Sequence, residues 1–385
     1  MTNSIGQAVC EQVRGYVAAA FLVVLAIPAA AQDSRVEKDT RESIAPDLRA
    51  EDISLKLQRG DFVAVPIAMS NPTFGTGLIG GAAYFYPQTP EQAAVQPASL
   101  TGIAGAYTDN DSKAAAIFQQ NYWNRNNWRF TGGAVVADFR LSLLAPDDRN
   151  DSPSVDWRVK GYGFLGRLSG QVWPHWYVGL QARFADVDQS LESDVIKGDI
   201  DLSILPSITS SGLGVLIEYD TRDLPTNAYS GRYFKVDALF NSEDLGSNKT
   251  YQNYNLTFSS YHRLADSVVL AWQIQGCARL GEVPLWDACS IKLRGFPATD
   301  YLGEGSASGQ AEVRWKLSKR WGIVGFGGAG YSRDTYAEQS DLDWVPSYGL
   351  GLRFMVLESK RINMRLDYAR SDGSDAIHFL VGEVF

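Results

Sequence analysis

A chain of 385 residues is long enough for one large domain or two ordinary ones. Its net charge of −9 and pI near 5.0 exclude the basic face of a nucleic-acid-binding protein, so no nucleic-acid partner is expected. Ten Trp, 18 Tyr and 36 Gly suit β-structure and membrane interfaces better than a cytosolic enzyme.

The chain begins with export chemistry. Arg14 closes a weakly positive stretch, Tyr16 to Ile27 is apolar, and Ala29-Ala30-Ala31 offers a small-residue cleavage site before Gln32. Residues 1–31 therefore read as a secretory signal peptide, too short for a spanning helix. Cys10 leaves with it. Cys277 and Cys289 remain as an even pair in an oxidising compartment, where a disulfide is expected. Residues 32–60 are polar and aperiodic and read as a periplasmic linker or tail.

From Asp61 onward the texture changes to period-2 segments separated by turn chemistry. In 232–240, Phe234, Val236, Ala238 and Phe240 alternate with Tyr233, Lys235 and Asp237. In 361–370, Ile362, Met364, Leu366 and Tyr368 alternate with Arg361, Asn363, Arg365 and Asp367. The same rhythm places strands near 62–69, 74–86, 99–108, 111–121, 126–140, 155–170, 173–186, 205–220, 231–242, 249–264, 267–279, 307–318, 320–331, 343–356, 361–370 and 376–385. About sixteen strands, joined alternately by tight turns and longer loops, predict an all-β antiparallel transmembrane barrel of the outer-membrane type over 61–385. Trp123, Trp128, Trp173, Trp176, Trp315 and Trp321 fall beside the short turns, where an interfacial girdle belongs. A soluble β-sandwich also alternates, but it does not explain so long an uninterrupted run of strands.

Two motifs carry a resemblance. The connection after the eighth strand reads Tyr219-Asp220-Thr221-Arg222-Asp223, with Pro225 and Gly231 behind it. The long loop between strands eleven and twelve, about 280–306, has the tip Leu293-Arg294-Gly295-Phe296. Together they resemble the BamA/TamA-type outer-membrane assembly-factor superfamily, the bacterial surface antigen family. The resemblance spans roughly 61–385 and implies a sixteen-stranded barrel whose sixth outer loop folds into the lumen. There Arg294 would meet an acidic side chain on the wall, and Glu312 stands at the family's acidic position on strand twelve. The family's second acidic position, on strand thirteen, is not kept; that stretch is Phe326-Gly327-Gly328-Ala329-Gly330. The anchor is therefore expected to rest on Glu312, with loop-backbone carbonyls as a further contribution. An ordinary exposed loop arginine is the competing reading.

The Asp220–Gly231 turn is expected to be structural, fixed by local hydrogen bonds. The final stretch, with Phe379, Gly382 and Phe385, resembles the terminal strand signal by which outer-membrane barrels are recognised for insertion. Gly382 stands where a kink weakens the seam with strand one, although a strand glycine also marks an ordinary bend.

The resemblance further implies an outer-membrane location, contact with its lipid and lipopolysaccharide, and the barrel-assembly machinery for the chain's own insertion. A client outer-membrane protein or a periplasmic partner follows from the same family. Members that receive clients carry POTRA domains ahead of the barrel, and 32–60 is too short for one, so this chain is expected to lack them. Two functions stay open: assisting insertion or translocation of outer-membrane proteins through the barrel or its seam, or passing small solutes as a channel, with a purely structural barrel behind both. His175, His262 and His378 are scattered without metal-like spacing, and no Gly-x-Ser-x-Gly elbow is present. His262 near Ser259 and Ser260 has nothing else to recommend it, so no enzyme activity, cofactor or metal is expected.

Overall fold

The computed structural model describes residues 60–71, 75–143, 155–192, 205–296, 301–335, 344–371 and 374–385. Residues 1–59, which hold the expected signal peptide and nearly all of the expected linker, and much of the long outer loops lie outside them. Sixteen strands follow in order: β1 Asp61–Asn71, β2 Gly75–Phe85, β3 Leu100–Thr108, β4 Lys113–Trp123, β5 Trp128–Leu143, β6 Val155–Trp173, β7 Trp176–Glu192 and β8 Leu205–Asp220. Next come β9 Gly231–Asn241, β10 Tyr251–Ala265, β11 Val268–Gly281, β12 Gly303–Lys316, β13 Trp321–Thr335, β14 Val345–Leu357, β15 Ile362–Ser371 and β16 Ser374–Val381. Each pairs antiparallel with its sequence neighbours, and β1 with β16 closes the ring.

Burial is inverted relative to a soluble protein. On β12, Val313 and Trp315 are 43% and 52% exposed, while Glu312 and Arg314 between them are buried at 1% and 8%. Leu180, Leu350 and Trp173 are likewise exposed, and Asp237, Arg353 and Asp367 buried. Apolar side chains outside and charged ones inside are what a barrel wall needs when lipid is the outer solvent. Beyond its periplasmic end, where Arg129 and Arg167 face inward, the β2–β6 wall differs on its inner side: by strand alternation its lumen face carries Ile79, Gly81, Ala83, Ala104, Ala106, Ala116 and Val135, all apolar and mostly small.

The ring is unequal in strength. β1 and β2 pair from Asp61↔Phe85 through Asn71↔Gly75, but β1 meets β16 at one register position among the described residues, Ser70↔Ile377. Toward the periplasmic end that seam is bridged by side chains instead. Val63, Phe85, Leu100, Leu357 and Ile362 share an apolar cluster, and Ser359 Oγ donates to Asp61 Oδ2 at 3.2 Å.

Candidate functional site

The loop between β11 and β12 enters the lumen and is held twice. Its outer half is tied by the Cys277–Cys289 disulfide, with Cα atoms 5.8 Å apart, and by paired backbone bonds of 2.9 Å between Cys289 and Gly303. Asp287, two residues before Cys289, is a second hold that the sequence did not single out. Its Oδ2 accepts from Arg183 at 2.5 Å, Tyr251 Oη at 2.9 Å and Asn253 Nδ2 at 2.7 Å. Arg279 Nε donates to the Asp287 carbonyl at 2.8 Å. Burial alone would raise the Asp287 pKa, but the Arg183 and Arg279 charges win and hold it below the ordinary value.

The tip is held by charge. Arg294, buried at 6% exposure, donates to Glu312 Oε2 at 2.7 Å and to Asp367 Oδ2 at 3.3 Å, and its guanidinium lies 3.4 Å over the Phe326 ring. Glu312 Oε1 takes Arg314 Nε at 2.7 Å. Asp367 takes Arg353 at 2.5 Å and Arg365 at 3.2 Å. Glu312 stands where expected, and a second carboxylate, Asp367, joins it from β15. Phe326 on β13 offers the guanidinium a ring face, while Gly328 stands where the family pattern has an acid. On β14, Gly351 stands beside Asp367, and a Cβ there would lie 2.0 Å from Asp367 Oδ1. The missing side chain opens the path along which Asp367 reaches the tip.

Gly295 makes the turn that aims Arg294. Its φ of +90° is left-handed territory, and a Cβ would come within 3.3 Å of Ala369. Gly295 N donates to His378 Nε2 on β16 at 3.3 Å, and its carbonyl accepts from Ser371 Oγ at 2.7 Å. Phe296 and the partly buried Leu293 pack with Ile291, Tyr301 and Val345. Gly295→Ala is expected to cost about 1–2 kcal/mol from the left-handed backbone alone, read as a lower temperature for loss of the compact, heat-modifiable form on gels.

The Asp220–Gly231 segment does more than turn. Locally it is built as a tight motif. Asp220 accepts from Arg222 Nε at 2.9 Å and from Arg129 at 3.0 Å, Arg222 stacks 4.1 Å over Tyr233, and Arg232 N donates to Thr221 Oγ1 at 2.9 Å. Burial would lower the Arg222 pKa, but Asp220 raises it. Tyr219 packs on Trp176 at 5.0 Å. Beyond that, the segment crosses the periplasmic mouth. Asp223 pairs with Arg361 at 2.6 Å, Thr226 Oγ1 donates to the Lys360 carbonyl at 2.7 Å, and Arg314 donates to Asn227 Oδ1 and the Ala228 carbonyl, both at 3.2 Å. One guanidinium, Arg314, thus touches both the loop's anchor and this segment.

The final strand, expected over 376–385, ends earlier than alternation predicts. Phe379 lies on β16 opposite the exposed Leu366, but the strand ends at Val381. Gly382, with φ +91°, turns the chain inward. Glu383 then accepts from Arg353 Nε at 2.9 Å and Asn363 Nδ2 at 2.6 Å. The Phe385 carbonyl accepts from Arg314 at 2.7 Å, and its ring lies 6.4 Å from Tyr261 inside the barrel. Alternation alone continued the strand through Phe385; the buried arginines redirect it. His262 Nε2 lies 2.9 Å from Ser260 Oγ, and among the described residues no carboxylate is paired with it.

The Omp85 superfamily domain matches residues 98–385. BamA from Haemophilus ducreyi lacking POTRA domains 1–3 is similar in structure, with a TM-score of 0.53 at 15% identity over 84% of this chain and 69% of that one. CdiB from Acinetobacter baumannii gives 0.53 at 11% identity over 84% and 59% of the two chains, and CdiB from Escherichia coli 0.52 at 12% over 83% and 61%. A comparison with curated proteins finds no match. Such identities speak for the fold, and the domain match for the family. With an inverted barrel wall, an arginine-tipped lumenal loop and that match over most of its length, the chain belongs to the Omp85 superfamily of bacterial outer-membrane barrels.

Proposed function

We propose that this barrel assists the insertion, assembly or translocation of outer-membrane proteins, with its β1–β16 seam as the working edge. The observation that carries the reading is that β1 and β16 meet, among the described residues, at one register position, Ser70↔Ile377. Strand edges with unpaired N–H and C=O groups are templates for another strand, and in lipid such an edge is costly unless a partner arrives. A client strand is the chemistry that fits. The loop tip, through His378 and Asp367, sits beside the β16 side of that edge. A solute channel fits less well, because the Arg294 loop and the Asp220–Gly231 segment both occupy the lumen.

A crosslink tests this. Ser70→Cys with Ile377→Cys, placed at the observed register in a background carrying Cys277→Ser and Cys289→Ser, should stop proteoliposomes from folding an added outer-membrane barrel, scored by its heat-modifiable mobility. Reduction should restore folding. Unchanged folding with the seam fully crosslinked would remove the seam from the mechanism.

A further inference from the structure

A lumenal space of about 410 Å³ lies at the periplasmic end, on the β2–β9 side of the crossing segment. That volume falls within the range of roughly 300–1,000 Å³ typical of small-molecule sites. Leu224, Pro225 and Thr226 of the segment form its lid. Its two walls are chemically opposite. Phe85 and Leu100, both buried, make the β2–β3 side apolar, and Leu216, also buried, sits on β8 among the charged strands. Arg129, Arg167, Arg222 and Lys235 line the other, with Lys360 nearer β2 beside Gln88, and the only carboxylates within the lining are Glu218 and Asp220.

The carboxylates do not balance these cations. Asp220 is already shared by Arg129 and Arg222. Glu218 accepts from Tyr233 Oη at 2.8 Å. Asp237, just outside, serves both Lys235 at 3.5 Å and Arg167 at 3.9 Å, distances too long for a tight ion pair with either. Lys360 Nζ reaches the Gln88 amide oxygen at 3.5 Å. Five cations thus meet three carboxylates in a half-enclosed space, and charge held away from water calls for a counter-charge.

We infer that this space binds a small anionic amphiphile, its head between Arg167 and Lys235 and its apolar body against Phe85, Leu100 and Leu216. Carboxylate and phosphate heads share the required charge, and the size admits a short acyl or aryl body. The site is distinct from the Arg294 cluster, and it does not depend on the seam acting on clients. Because Phe85 and Leu100 also belong to the seam's apolar cluster, an occupant would touch the periplasmic end of the seam directly.

The test uses the full barrel in nanodiscs of zwitterionic lipid, with equilibrium dialysis of labelled octanoate and empty nanodiscs as the blank. Saturable uptake above the blank is expected for octanoate and absent for octanol and octylammonium. Octyl phosphate as competitor reports which head is preferred. Lys235→Met should weaken octanoate roughly tenfold or more, as loss of a charged hydrogen-bond partner does. Asp237→Asn should tighten it, because both cations are released from their shared carboxylate; a residue that only packs would not produce that opposite sign. Heat-modifiable mobility verifies that each variant is folded. Octanoate uptake equal to the blank, octanol uptake matching octanoate, or wild-type affinity in folded Lys235→Met would overturn the assignment.

Discussion

Glu312→Gln is expected to be the most damaging single change to the lumenal cluster, costing about 3–5 kcal/mol, the range for breaking a buried ion pair. Each Glu312 oxygen serves a different guanidinium at 2.7 Å, Arg294 on one side and Arg314 on the other. Glutamine keeps the shape, removes the charge and turns an N–H group toward one of them. The loss propagates, since Arg314 also holds Asn227, Ala228 and Phe385. The midpoint of urea or thermal loss of the heat-modifiable form should fall sharply; an unchanged midpoint would mean the cluster does not stabilise the fold. Arg294→Ala should cost less, because Arg314 stays with Glu312, and Arg353 and Arg365 stay with Asp367. Its effect should show instead in planar bilayers, as larger and noisier conductance from a loop tip no longer held across the lumen. Lysine at 294 should not restore the wild-type trace, because a point charge cannot fork between two carboxylates.

The second large effect concerns the outer half of the same loop. Cys277 and Cys289 are 12 positions apart, and closing a loop of that size contributes about 3 kcal/mol. The double serine variant should lose about that much, and the loop should then depend on Asp287. The pH dependence has a definite sign. The folded Asp287 pKa lies below the ordinary 3.8, so its contribution is fully present above that value and is lost as pH falls through the folded one. Between pH 7 and 5 the thermal midpoint of the serine variant should gain no slope from Asp287, and below about 3.8 it should fall. Asp287→Asn in that variant should lower the midpoint at neutral pH and remove that part of the acid slope; an identical slope would place the acid sensitivity elsewhere.

The strands were legible because lipid outside and charge inside enforce a strict two-residue period, as at Glu312, Val313 and Arg314. The motif tip was legible too, through its resemblance and its position between β11 and β12. Asp367 was not. Its approach to Arg294 depends on Gly351 lying beside it across two strands, a matter of register rather than of local pattern. Asp287 was missed for a related reason: its partners Arg183, Tyr251 and Asn253 are far away in sequence and meet only when β7 and β10 curve around one lumen. At Asp220–Gly231 the local turn chemistry could be read, while its reach to Lys360, Arg361 and Arg314 could not. Gly382 carried the right hint, a bend, but the inward course to Glu383 and Phe385 follows from buried arginines on β12 and β14.

Beyond its periplasmic end, where Arg129 and Arg167 lie, the Gly- and Ala-rich lumen face of β2–β6 has a frictional consequence. Opposite it stand guanidiniums and carboxylates that grip whatever hydrogen-bonding groups come near. Ile79, Gly81, Ala104 and Ala116 present neither donor nor acceptor from their side chains, so a polypeptide moving along that wall would find few places to stick. The barrel is then a bearing with one adhesive side and one smooth side, and the smooth side begins one strand from the seam.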